Sequence, residues 1–363
     1  MNGWMRRVAI TSDMGLIKIV FLILATSLLI SCNTSNTSTQ KITVDSSDTI
    51  LEIRDASPQA LADLAPAITQ LLQAEIKQSH AWKKSELTSI NSALAAGQKA
   101  PISKNNLYLM QISMPLYEAS DAYYDPSIGS LVRMWGFYSD KFPISESPPT
   151  NEQISRWLAH RPAFTDINTD TKTISTNNPN TQLDFATILE GVAAQKIKRV
   201  FSQQQITDAL VTLGSDQFVV GNENAKPWNV RLKDPFGGDL GEIDLQGNEA
   251  LFSSGNFNKF RVAPTGSRWG HVLNPRTGKP SQGSAAVVVL HSDPVLADAA
   301  STALMAAGPG NFSRLVIRMK LACAMMVTEE NELLITTQMK KRVTFFRDPV
   351  PLGKPISNGQ ACK

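Results

Sequence analysis

The sequence predicts an α+β fold, a single compact two-lobed unit of mixed helices and antiparallel strands. Three observations carry that expectation. Apolar residues at helical spacing mark much of residues 60–201, and short strands separated by glycine turns take over from residue 209. The two textures do not alternate as a βαβ repeat, which argues against a doubly wound parallel sheet. No internal repeat and no strong linker interrupts residues 41–350, so one unit is expected there, followed by a tail at 351–363.

The elements follow in order. Residues 66–76 and 105–123 carry helical periodicity, with Leu61, Leu64, Ile68, Leu71 and Leu72 tracing one face of the first. Residues 143–149 form a proline-rich connection, and 151–158 begin a short helix. The Thr/Asn-rich stretch 168–180 alternates like a small hairpin. Residues 188–201 read as a helix, with Ile188, Val192, Ile197 and Val200 on one side. Strands are expected at 209–213, 218–220, 228–232, 242–245, 250–252 and 285–290. A small-residue helix at 295–307 stops at Gly308-Pro309-Gly310, and a second helix at 312–319 follows. Strands at 322–328, 332–336 and 343–346 complete the series.

The N-terminus has a different character. Arg6 and Arg7 start a basic region that Lys18 closes, and an uncharged apolar run follows at 19–30. As a helix that run would span about 18 Å, short of the ~30 Å hydrocarbon core of a bilayer, so it suits an export signal better than a membrane span. Leu29-Ile30-Ser31-Cys32 resembles a bacterial lipobox, in which the cysteine is acylated and becomes the new N-terminus. The expectation is a lipoprotein signal peptide at 1–31, lipidation at Cys32 and a flexible tether at 32–40. That places the protein in a bacterial cell envelope, lipid-anchored and facing the periplasm. Removing 1–31 reduces the formal net charge of +3 to about +1. With 35 Lys+Arg against 32 Asp+Glu, bulk charge gives no case for nucleic acid. Three cysteines are too few for a disulfide scaffold. Cys323 lies in an apolar run and reads as a buried hydrophobe; whether it pairs with Cys362 stays open.

Metal-cluster Cys/His spacing, a Walker loop, GxGxxG and GxSxG are all absent from the sequence. Polar residues set in turns stand out instead. Asp298 and Thr302 are four apart on an expected helix, so their oxygens share one face and suit a hard cation such as Mg²⁺, or simply a solvated face or a cap at Asp298. His271 lies beside Gly270, where a histidine serves as a structural hydrogen-bonder or as a proton acceptor. Trp135-Gly136-Phe137 is either core or a stacking surface for a planar ligand. Asp125-Pro126 reads as a turn starter.

Taken together and in order, these segments resemble the ApbE family of FAD:protein FMN transferases. The matching stretches are Ser85-Glu86-Leu87-Thr88-Ser89-Ile90-Asn91, Tyr124-Asp125-Pro126-Ser127-Ile128-Gly129 through Trp135-Gly136-Phe137, and Leu183-Asp184 through Gly191. Leu213-Gly214-Ser215-Asp216, Ser253-Ser254-Gly255-Asn256-Phe257, His271 through Pro280 and Asp298 through Leu304 continue the series. The resemblance implies a T-fold-related architecture and transfer of the FMN moiety of FAD to a Thr or Ser hydroxyl of a partner flavoprotein, with release of AMP. It implies Mg²⁺ held by Asp298, Thr302 and the backbone carbonyl of Thr187, with His271 as general base. It also implies Trp82, Trp135, Gly136 and Phe137 flanking the isoalloxazine or adenine, Asp184 and Glu190 in the pocket, and a nucleotide contact through the Val272 backbone. The implied acceptor is a subunit of a membrane electron-transport complex.

The sequence departs from the family pattern in several places. Residues 41–53 hold no Met-Gly-Thr, Glu190 stands where a lysine is general, and Ser215 replaces a glycine. Asn256 replaces an aspartate, and Thr187 a small Gly or Ala. At ~4 Å, a Glu190 carboxylate would repel the pyrophosphate by about 1–4 kcal/mol. The alternatives these departures support are a nucleotide-binding lipoprotein that has lost transfer, or an FAD pyrophosphatase.

Overall fold

A computed structural model describes residues 39–44, 49–54, 58–221, 226–256, 259–262, 266–347, 349–357, 359, 360 and 362. The expected signal at 1–31, Cys32 and the tether as far as residue 38 lie outside the described residues. The described chain opens with a hairpin, β1 (Thr39–Val44) and β2 (Thr49–Arg54), so Thr39 and Gln40 belong to a strand and not to the expected tether. Helix α1 (Pro58–Ser79) starts well before residue 66 and passes through Pro66. Leu64 and Ile68 are both buried, so core packing on either side of the proline outweighs its missing N–H.

Helix α2 (Glu86–Ala95), which periodicity alone did not reveal, starts with a capping box between Ser85 and Thr88. It is followed by β3 (Ala100–Pro101), α3 (Lys104–Ala119), α4 (Gly129–Met134) and α5 (Asn151–Ala159). Strands β4 (Ile167–Thr169) and β5 (Thr173–Thr176) form the expected hairpin, which β3 extends to three strands. Helix α6 (Ala186–Gln203) precedes β6 (Ala209–Leu213), β7 (Asp216–Val220), β8 (Trp228–Lys233), β9 (Asp239–Leu245) and β10 (Ala250–Gly255). Two short hairpins follow, β11 (Phe260–Val262) with β12 (Arg268–Gly270), and β13 (Leu273–Asn274) with β14 (Lys279–Pro280). The chain continues through β15 (Ser284–His291), α7 (Pro294–Ala307), α8 (Pro309–Arg318), β16 (Cys323–Thr328) and β17 (Glu332–Ile335). It closes with α9 (Thr337–Arg342), β18 (Val343–Phe345) and β19 (Val350–Pro351).

The main sheet runs β1-β2-β6-β7-β10-β15-β16-β17-β19, antiparallel except at β17–β19. Its two faces are both covered. Ala209, Val211, Val287, Val289, Ala324 and Met326 turn to the core shared with α1, α6 and α7. The alternate residues Leu210, Leu290, Cys323 and Met325 meet the three-stranded sheet β18-β9-β8 through Val230, Ile243 and Leu245. Burial on both faces is why β16 reads as an unbroken apolar run and not as an alternating strand. A third cluster, built on Leu131, Trp135, Phe137, Ile154, Trp157 and Leu273, backs the site described below. The described residues form one compact unit. Among the described residues no helix is long and apolar enough to cross a membrane.

Described residues of the stretch expected as a C-terminal tail make contacts with this unit. Ile356 donates its N–H to the Ile335 carbonyl at 3.0 Å and accepts from Thr337 at 2.8 Å. Cys362 forms a disulfide with Cys323, with Cα atoms 5.4 Å apart, tying the end of the chain to β16.

Candidate functional site

Two chain segments distant in sequence are zipped together to make the floor of a cleft. Gly129 donates to the Gln182 carbonyl at 2.7 Å, Gln182 to Ser127 at 3.2 Å, and Asp184 to Pro126 at 2.8 Å. The buried Asn91 side chain clamps the Leu183 peptide from the other side, donating to its carbonyl at 2.8 Å and accepting from its N–H at 2.7 Å. The Ser85–Asn91 stretch thus serves to place Asp184 at the start of α6. There Asp184 accepts the Ala186 N–H at 2.9 Å. Burial raises its carboxyl above the usual range, the Ala186 bond and the neighbouring Tyr138 hydroxyl opposing that shift.

Helix α7 lies against α6, and Gly191 makes their approach possible. A Cβ at this position would come within 2.6 Å of the Pro294 carbonyl oxygen. Through this contact the Gly191 N–H donates to Asp298 Oδ2 at 2.8 Å. In a helix that same N–H faces the carbonyl four residues back, which is that of Thr187. The Asp298 carboxylate and the Thr187 carbonyl are therefore brought to one N–H, although 111 positions separate them in the sequence. Thr302 sits one turn beyond Asp298, and Ser254 of β10 reaches it at 3.3 Å and Ser301 at 2.8 Å.

Negative charge accumulates here. Burial and the Glu190 charge push the Asp298 carboxyl well above its usual range, the Gly191 N–H opposing them. Asp216 is raised by burial, by Glu190, which hydrogen-bonds it, and by Asp298, while the Ser253 N–H at 2.7 Å holds its carboxylate in place. Among the described residues no three His, Cys, Asp or Glu side chains converge to hold a metal. One carboxylate, one hydroxyl and one carbonyl make a sparse, hard-oxygen set, of the kind that suits Mg²⁺ completed by water and phosphate oxygens.

His271 follows β12 and faces the same cleft. Its N–H donates to the Lys259 carbonyl at 3.1 Å, and its Nδ1 lies 3.2 Å from that oxygen. A carbonyl only accepts, so Nδ1 carries the proton and Nε2 keeps its lone pair. Burial, then the Lys259 charge, pushes the imidazole down to about 4, so it is neutral at pH 7. Phe137 meets the ring edge-on at 6.4 Å.

Asp184, Thr187, Ser254, His271, Val272 and Thr302 line one cleft of about 110 Å³ together with Tyr123, Tyr124, Asp125, Ile128, Val132 and Leu273. Five sequence-expected site residues thus meet, and Asp298 stands one turn behind Thr302. Val272 is buried, and its carbonyl accepts from Ser281 at 2.8 Å, so that oxygen already has a donor. The aromatic expectations turn out differently. Trp135 and Phe137 are buried in the cluster behind the cleft, and Trp135 Nε1 donates to the Gly278 carbonyl at 2.8 Å. Gly136 takes φ +76°, and a Cβ there would strike Arg261 at 2.5 Å. Arg261 is itself buried and holds the Trp135 carbonyl with Nε at 3.1 Å and Nη2 at 2.7 Å. The packing reading of the Trp-Gly-Phe stretch therefore prevails over the stacking one. Trp82 stacks on Tyr138, centroids 5.9 Å apart, and Tyr138 in turn neighbours the cleft residue Asp184, but Trp82 is not itself among the residues that line the cleft. Glu190 is exposed and points to Asp216, not into the cleft lining. Asp125, read from sequence only as a turn starter, and Ser254 were missed as cleft residues. The ordered segments that carry the resemblance contain both.

Comparison with known proteins agrees with this architecture. The ApbE family model matches residues 38–326. The chain is 32% identical over 301 residues to an FAD:protein FMN transferase of Rhodobacter capsulatus, covering 81% of this chain and 56% of that protein. It is 28% identical over 280 residues to the one of Escherichia coli K12, covering 75% of this chain and 78% of that protein. The chain thus spans little more than half the length of the Rhodobacter relative. Its fold is similar to the apo flavinyl transferase ApbE of Pseudomonas stutzeri, with a TM-score of 0.71, 23% identity and coverage of 84% and 96%. The ApbE protein of Thermotoga maritima superposes with a TM-score of 0.74 at 23% identity, over 86% of this chain and all of that one. With the family model spanning most of the folded unit, this chain belongs to the ApbE family.

Proposed function

We propose that the protein is an FAD:protein FMN transferase that moves the FMN moiety of FAD onto a Thr or Ser hydroxyl of a partner flavoprotein, releasing AMP. The observation that carries this reading is a neutral imidazole held through Nδ1 by the Lys259 carbonyl, its Nε2 without a hydrogen-bond partner among the described residues, in the same cleft as Thr187 and Thr302. The acceptor hydroxyl gives its proton to His271 Nε2 as its oxygen forms the new bond to the FMN phosphorus. The phosphorus–oxygen bond to the AMP phosphate breaks, and AMP leaves with that oxygen and its electron pair. A base near 4 is weak, but anionic phosphates arriving beside it favour the imidazolium and raise it. Mg²⁺, bound by Asp298, Thr302 and the Thr187 carbonyl, would neutralise charge on the pyrophosphate. The Gly191 N–H keeps the Asp298 carboxylate in position for that task.

The acceptor is proposed to be a subunit of a membrane electron-transport complex. The protein is proposed to be exported and lipid-anchored at Cys32, facing the periplasm. The lipobox-like sequence supports the anchor, and the Cys323–Cys362 disulfide fits an oxidising compartment. The test is incubation of the protein with FAD, Mg²⁺ and a candidate acceptor subunit. In-gel flavin fluorescence on the acceptor, with stoichiometric AMP, is the expected result. AMP without labelling would mean pyrophosphatase action, and FAD binding with neither product would mean that transfer has been lost.

A further inference from the structure

The loop that carries His271 has a second side. Val272 and Leu273 line the cleft, whereas Asn274, Thr277, Lys279 and Pro280 line a separate groove of about 390 Å³, shared with Ala306 and Ala307 at the end of α7. Asn274 is three positions along from His271, so one loop is the wall between cleft and groove. Among the described residues that line the groove, Lys279 alone is charged.

Positive charge gathers beside the same loop. Arg276 meets Asp121 Oδ2 at 2.6 Å and lays its guanidinium over the ring of the cleft residue Tyr123, 4.4 Å from the ring centre. Arg314 of α8 meets the same Asp121 oxygen at 2.7 Å. Arg318, one turn further along α8, donates to the Glu118 carbonyl at 2.8 Å. Two arginines thus share one carboxylate while the third is bonded to a neutral group. Even with the exposed Glu118 carboxylate counted, the cations are in excess. On the same face of α8 stands Ile317, 57% exposed. Partly exposed ion pairs add little to stability, so this gathering at the rim of a cleft suits a partner better than it suits the fold. Arginines around an apolar side chain are the composition of a protein-binding face, and their guanidinium groups match carboxylates in shape and charge.

We propose that the groove beside the turn at 274–280 and the face of α8 with Arg314, Ile317 and Arg318 dock an acidic segment of the acceptor protein, a partner identity that rests on the transferase reading above. Charge names the segment, and the shared loop brings its hydroxyl to the cleft.

The experiment reads fluorescence anisotropy of two labelled short peptides, with wild type and with Arg314→Glu combined with Arg318→Glu. Each peptide holds one threonine, flanked by aspartates in the first and by lysines in the second. Wild type should bind the aspartate peptide about tenfold or more tighter than the lysine peptide, and the preference should weaken in salt and vanish in the variant. FAD affinity, by calorimetry, should be equal in the two proteins. Equal binding of both peptides by wild type, or binding of neither, overturns the proposal, and so does a preference that survives the charge reversal. A loss of FAD affinity that matches the loss of preference overturns it as well, since the arginines would then shape the cleft. Binding to anionic phosphatidylglycerol vesicles that the variant loses, with no peptide preference, assigns the face to a membrane and overturns it too. If the double variant does not fold, Lys279→Glu on the groove side takes its place with the same loss expected. Peptide binding needs no transfer, so a wild type that shows the preference but labels no acceptor overturns the transferase reading alone.

Discussion

The backbone N–H of Gly191 donates to the Asp298 carboxylate at 2.8 Å, across the contact between α6 and α7. Only a residue without a Cβ lets the helices come this close, since any side chain would begin 2.6 Å from the Pro294 carbonyl. Gly191→Ala should therefore cost about 1–3 kcal/mol of stability through overpacking, although alanine is the better helix former. Urea unfolding would measure it, and an unchanged midpoint would show that the helices part without strain.

Asp298→Asn separates the fold from the chemistry. The amide oxygen can still accept the Gly191 N–H, while the charge that Glu190 and Asp216 oppose is gone. Without metal the variant should be as stable as wild type or more so, by thermal melting. Transfer should fall about a hundredfold or more, because a bound cation supplies several kcal/mol.

His271→Gln should lower the transfer rate by about 10²- to 10⁴-fold while FAD still binds. The same residue sets a pH signature on stability. Its pKa falls from the ordinary 6.5 to about 4 in the folded protein, so between those values the unfolded chain binds the extra proton. Stability is then fully present above 6.5 and declines as pH falls toward 4. Because the ring is only partly shielded from solvent, the decline should amount to about 1–2 kcal/mol and be missing in the glutamine variant.

The disulfide closes a loop between positions 39 residues apart. Cys362→Ser should lower stability by about 2–4 kcal/mol, and reductant should lower the wild-type melting temperature but not that of the variant. Transfer at low temperature should be unaffected, since Cys323 lies on the sheet face opposite the α6–α7 core.

Most of the strands and helices were legible in the sequence because their signals are local. Gly308 ends α7 within one residue of the expected stop, and the Thr/Asn-rich hairpin appears as β4 and β5. Short elements such as α2 and α4 were not legible, since ten and six residues are too few for a clear period. The Trp135-Gly136-Phe137 stretch was open between core and ligand because aromatic residues suit both. Arg261, more than a hundred positions away, decides for the core by binding the Trp135 carbonyl.

By itself the sequence determined the α+β class, the resemblance to the ApbE family and the pairing of Asp298 with Thr302 on one helix face. All of these follow from periodicity or from the order of motifs along the chain. Tertiary structure alone decided that Gly191 meets Asp298 from 107 positions away, that Ser254 meets Thr302 from 48, and that Lys259 sets the tautomer of His271. It also decided that Asp125 is a cleft residue and not merely a turn. The reason is physical: a hydrogen bond depends on where two groups sit in space, and one chain pattern does not encode a partner folded in from far along the sequence.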